Sequence, residues 1–121
     1  MTERIQLSRA KGWRMPENTV KVDRTSRWGN PYRVAVFGLQ RSIKLFENTV
    51  HGFWVPSLFD GDPDHLLSEA YKLHCAFRKR HQNSVLSSIR HELAGKNLGC
   101  WCAKQSPCHA DILLALAKEP S

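Results

Sequence analysis

From Gly95 onward the chain allows few local structures. It reads Gly95-Lys96-Asn97-Leu98-Gly99-Cys100-Trp101-Cys102-Ala103-Lys104-Gln105-Ser106-Pro107-Cys108-His109-Ala110-Asp111, followed by Ile112-Leu113-Leu114-Ala115-Leu116-Ala117. A glycine-flanked turn, a short apolar run, a polar loop and an apolar helical pattern predict strand, loop and helix in that order. Ser106 before Pro107 predicts the helix start, because a hydroxyl caps a free N–H and proline fits the first helical position. Cys108 and His109 then fall in the first turn, where unpaired N–H groups and the positive end of the helix dipole favour anions. Cys100 and Cys102 fall where the strand ends, facing that turn. Three of the four cysteines and one histidine therefore converge within ten residues.

Three chemistries suit this convergence. Cys100, Cys102, Cys108 and His109 form a Cys3His set for tetrahedral zinc, although C-x-C-x5-C-H is not a standard knuckle and adjacent Cys108-His109 must turn toward one ion. Without metal, a thiol in a first turn has its thiolate stabilised by free N–H groups. Cys108 is then a candidate nucleophile and His109 a candidate acid, base or phosphate donor, with Asp111 able either to orient the imidazole or merely to favour the helix N-terminus. The third chemistry is plain packing, with cysteine as a small hydrophobe and Trp101 between layers. The density of thiols beside a histidine favours the first two.

Upstream, Arg4 to Leu7 and Thr19 to Asp23 alternate with period two and predict two strands. Val34 to Phe37 predicts a third. The loops around the second strand carry Trp13-Arg14 and Arg27-Trp28, and Gly29-Asn30-Pro31 fixes a turn. Guanidinium groups grip phosphate in a fork and indoles stack on bases, so Trp13, Arg14, Arg27, Trp28 and Asn30 are candidate ligand-binding residues. The structural alternative is that each tryptophan plugs the core while its arginine faces water. A short helix is expected around residues 40 to 48, then a loop through Pro56 and Gly61; Phe53-Trp54 suits a core cover or a lid.

Asp62-Pro63 opens a helix to about Arg80, with Leu66, Leu67, Ala70, Leu73 and Phe77 on its buried face. Cys75 is expected to be buried there, and His74 and His81 to lie on the polar face or at the helix end. Arg78-Lys79-Arg80 complements the dipole. A further helix from Ser84 to Ala94 buries Val85, Leu86, Ile89 and Leu93, and Gly95 caps it.

A length of 121 residues suits one domain with a modest core. Its net charge of +7 points either to an anionic partner or to a solvated basic surface. No apolar run approaches membrane-spanning length and no apolar signal region opens the chain, so a cytoplasmic location is expected. A reducing compartment favours free thiols or metal thiolates over disulfides.

Three blocks carry a family resemblance: Trp13-Arg14-Met15-Pro16-Glu17-Asn18-Thr19-Val20, Arg27-Trp28-Gly29-Asn30-Pro31-Tyr32, and Gly95 to Cys102 with Cys108-His109-Ala110-Asp111. In that order they resemble the DUF4326 family, small proteins of bacteria and their phages. The stretch from about Val50 to Asp62 looks like an insertion or variable region relative to that pattern. The last block also resembles the Cys…Cys-His-Arg ending of the DUF488 family, although Ala110 stands where that ending has arginine. The resemblance implies one module joining the Trp-Arg loop, the WGNP turn and the CWC…CH unit, with a Rossmann-like end.

The expected fold is therefore α/β: a single domain over residues 1–121, with a short mixed sheet, three to four helices and a Rossmann-like strand-loop-helix at the C-terminus. Two functions suit it. One is a domain binding a nucleotide or nucleic acid, with the Cys/His site hydrolysing or transferring at a nucleoside or its phosphate. The other is a non-catalytic, zinc-stapled accessory protein of phage or prophage origin that binds DNA, RNA or protein.

Overall fold

The computed structural model describes residues 2–103 and 105–118. Within it the chain divides into two compact units, Met1–Gly29 with Ser87–Ser121, and Asn30–Leu86.

The first unit is built on a parallel sheet of strands β1 (Arg4–Gln6), β2 (Thr19–Lys21) and β3 (Asn97–Cys100), in the order β1-β3-β2. Ile5 faces Gly99 across one ladder and Val20 faces Leu98 across the other. The pairing continues past the strands, with Leu7 N–H donating to the Cys100 carbonyl and Val22 N–H to the Gly99 carbonyl, both at 2.8 Å. Gly99 is closely approached between these neighbours: a Cβ there would stand 3.0 Å from Leu7 Cδ2 and 3.5 Å from Thr19 Cγ2. Helix α5 (His109–Lys118) packs on this sheet through Ala110, Leu113 and Leu116, beside the buried Val22, Leu98 and Cys100. The strand-loop-helix end is as the sequence predicts, but the sheet is wholly parallel, not mixed.

Val34–Phe37, expected as a third strand, instead forms the short helix α1 in the second unit. Phe37 is buried edge-on to Tyr32 and Phe59, at ring separations of 5.7 and 6.1 Å, while Val34 and Val36 are exposed. Packing of one aromatic overrides the β propensity of the valines. Gly38, at φ 83°, separates α1 from α2 (Leu39–His51), which is longer than the expected 40 to 48. A 3-10 turn at Pro56–Phe59 leads to α3 (Asp64–Arg80), and α4 (Val85–Glu92) runs across the division between units.

Helix α3 buries the expected face at Ala70 and Phe77, but less of its leucines than expected, and it adds His74. Ala70, His74 and Phe77 are buried, whereas Leu66, Leu67 and Leu73 are only half-buried and Cys75 is exposed. His74 is buried because Thr49 Oγ1 lies 3.0 Å from its Nδ1, and Tyr32 Oη lies 2.6 Å from the same hydroxyl. Burial, then the Arg78 charge, holds the His74 pKa down. His81 is also buried, against Phe77 at 4.8 Å between rings. No helix among the described residues is long and apolar enough to cross a membrane.

Candidate metal centre

Because all three strands are parallel, the loops after β1, β2 and β3 leave the sheet at one edge, the carboxyl edge where open α/β sheets hold ligands. Cys100 ends β3, Cys102 follows in the bend, and Cys108 stands immediately before α5. Their sulfurs lie within 4.8 Å of one another, and Cys108 Sγ is 3.4 Å from Cys100 Sγ. All are free thiols. The soft, mutually close donors fit a thiophilic ion such as zinc.

Cys108, not Ser106, is the residue at the helix mouth. Its sulfur accepts from Ala110 N–H at 3.5 Å and its carbonyl from Asp111 N–H at 3.0 Å. The expected effect on its acidity does not follow. Acting as donor to Cys100, and buried besides, the Cys108 thiol is pushed up to about 11, against the lowering influence of His109 and Ala110 N–H. The same bond holds Cys100 below its ordinary value in spite of burial. Burial, followed by Cys108, pushes Cys102 up to about 11. Without metal these bonds lower the Cys100 pKa and raise that of Cys108, the reverse of what the helix-mouth position of Cys108 suggests.

His109 stands beside this group and outside the set of mutually close donors. Its Nε2 lies 2.7 Å from the Val22 carbonyl, an acceptor only, so this nitrogen carries the proton. Nδ1 is left to face Cys108 Sγ at 3.6 Å. A histidine tied to a backbone carbonyl through one nitrogen has its other nitrogen oriented as a ligand or acceptor. Asp111 does not orient this imidazole; its Oδ2 accepts from Arg4 Nη1 at 3.1 Å.

Arg4 is the residue that sequence reasoning missed. Its guanidinium reaches the Ser106 carbonyl at 3.0 Å and the Ala103 carbonyl at 2.9 Å, as well as Asp111. One fork thus ties β1 to both sides of the thiol loop and to the first turn of α5. Its signal was a cation set inside a three-residue strand.

The candidate ligand residues divide. Trp13 is 37% exposed, and Arg14 is exposed. Trp28 is 3% exposed, so its ring plugs the core and offers no stacking face, which corrects the base-stacking role. Arg27 lies over that ring at 5.2 Å and pairs with Glu92. Asn30 belongs to the second unit, where its Nδ2 donates to Ser42 Oγ at 3.0 Å and its Oδ1 accepts from Tyr32 N–H at 2.9 Å; the amide is spent on the turn.

An unforeseen indole–guanidinium pair stands beside the thiols instead. Trp101, between Cys100 and Cys102, is 40% exposed and not packed between layers, with Arg9 stacked 4.6 Å from its ring centre. Its Nε1–H donates to Asp23 Oδ2 at 2.9 Å. Asp23 is buried and also accepts from the Thr25 hydroxyl and N–H through Oδ1. Burial would raise this carboxyl, but the bonds from Thr25 and Trp101, with nearby Lys21, hold it below its usual value. The Asp23-Arg24-Thr25 order is an Asx-turn signature that could have revealed it.

A family model, Domain of unknown function (DUF4326), matches residues 5–119. The chain belongs to the DUF4326 family. The match spans both units of the DUF4326 protein and includes every residue of the thiol cluster. Comparison with curated proteins and with solved structures gave no match.

Proposed function

We propose that this DUF4326 protein is a zinc-stapled domain that binds a nucleotide or nucleic acid. The observation that carries the reading is the mutual approach of Cys100, Cys102 and Cys108 to within 4.8 Å at the carboxyl edge of the sheet. His109, held by Val22 through Nε2, is the fourth donor in this proposal. Cys100 and Cys108 are 1% and 4% exposed, and such a closed donor set suits a staple better than a site open to substrate. Bound zinc would supply cross-linking of β3 to the start of α5, a join that Arg4 already makes from β1.

The anionic partner is supported by the charge of +7 and by cations and indoles exposed in the first unit, Arg9, Lys11, Trp13, Arg14 and Trp101. Hydrolysis or transfer at a nucleoside or its phosphate is the second reading. Half-buried Cys102 favours it, because a three-thiolate ion keeps one position for water or a substrate oxygen.

Metal analysis of protein purified without chelator tests the staple. Expected are about one zinc per chain and its loss in Cys100→Ser and Cys108→Ser. A zinc-free protein that also gives no thiolate-to-metal absorption on cobalt(II) titration would sink it. A zinc-loaded protein that releases product from nucleoside or nucleotide substrates would replace the staple with the enzyme.

A further inference from the structure

We infer that Trp101, pinned by Asp23 and stacked by Arg9, is a platform for an unpaired base of single-stranded nucleic acid. The inference rests on the nucleic-acid reading above and narrows its partner. An indole this exposed is usually free to turn; this one is fixed through its N–H by a buried carboxylate that is itself held by Thr25. On its N-terminal side Cys100 ends β3 and its carbonyl accepts from Leu7 N–H, so the backbone there is held by the sheet as well. The ring is therefore presented rigidly to water, with little ordering left to lose when a flat ligand stacks.

Arg9 decides the kind of flat ligand. Its guanidinium lies 4.6 Å from the ring centre and leaves two fifths of the residue in solvent, so charge and aromatic surface are offered together. The loop that carries Arg9 continues through Lys11, exposed Trp13 and exposed Arg14. Alternating cations and indoles on an open surface match a strand whose phosphates and bases also alternate. In a duplex the base faces are already stacked on one another and are closed to an indole.

Tryptophan fluorescence of the full chain, purified with its zinc, tests this with three probes: a short oligothymidylate, a duplex of the same length and thymidine monophosphate. The oligothymidylate is expected to quench emission and to bind more tightly than the duplex. Trp101→Leu should weaken it roughly 5- to 150-fold, the range of one lost base stack. Trp101→Phe keeps a ring but loses the bond to Asp23, so its affinity should fall between wild type and Trp101→Leu while the part of the quench due to Trp101 disappears.

An oligothymidylate quench that survives intact in Trp101→Phe overturns the platform, as does equal binding of duplex and single strand. Saturation by the mononucleotide at the same concentration overturns the single-stranded partner. If the zinc-loaded wild type binds none of the probes, the nucleic-acid reading itself falls, whereas binding without Trp101 involvement leaves that reading standing.

Discussion

Gly29 shows how much can depend on a missing side chain. A Cβ there would stand 2.5 Å from the Asp23 carbonyl oxygen and 2.7 Å from Arg24 Cα, both main-chain atoms that have no rotamer to yield. The same carbonyl accepts from Ser26 N–H and Oγ, so the turn is closed around it. Gly29→Ala is therefore expected to cost about 1–3 kcal/mol in denaturant unfolding. It should also loosen Asp23 from Trp101, read as altered Trp101 emission; unchanged stability would show that the turn relaxes freely. Sequence alone marked Gly29 as a turn residue, but the need for close approach to Asp23 lay in the tertiary path. Likewise Trp28 and Trp101 look alike beside arginines in sequence, and only packing separates the core plug from the exposed ring.

Among the elements, those marked by period or by breakers were legible: β1, β2, α3, α4, β3 and α5 lie close to where pattern and caps put them. What failed was the depth of burial along α3 and, at Val34–Phe37, the type of element. On helix α3 the expected face is the inward one at Ala70 and Phe77, but its leucines are only partly buried and His74 joins the core because Thr49 satisfies the imidazole. Hydropathy gives a histidine no credit for a partner on another helix. Phe77→Ala is expected to cost about 3–5 kcal/mol, as a fully enclosed ring edge-on to Phe46. Leu67→Ala should cost only about 1–2 kcal/mol, since that residue is only partly buried. Urea unfolding of the two variants checks the order, and a larger loss at Leu67 would show that the leucines carry more of the packing than their exposure suggests. Titration of His74 adds an acid limit. Its folded pKa is lowered, so the unfolded chain binds the proton more readily and stability falls as pH drops below about 6.5.

For the molecule as a whole, the thiol site is local to one of two units. Cys100, Cys102, Cys108, His109, Arg4 and Val22 all belong to Met1–Gly29 with Ser87–Ser121. Chelation of the proposed zinc is expected to deprotect amides of that unit in hydrogen exchange and to leave the core helices of Asn30–Leu86 protected. Equal deprotection of both would show that the metal, if bound, stabilises the chain globally. The convergence of cysteines was readable because ten residues held it; the clamp by Arg4 was not, because its partners Ala103, Ser106 and Asp111 are about a hundred positions away.

The central strand has a consequence for how the protein is born. β3 is the hydrogen-bonding partner of both β1 and β2, yet Arg4 must wait for Leu98 before its register exists. During synthesis β1 and β2 leave the ribosome with bare strand edges, and the helical unit Asn30–Leu86 is made before their shared partner arrives. Such late pairing is slow to search and open to aggregation. A nascent chain stalled short of Leu98 should therefore cling to holding chaperones, and let go once that strand has emerged.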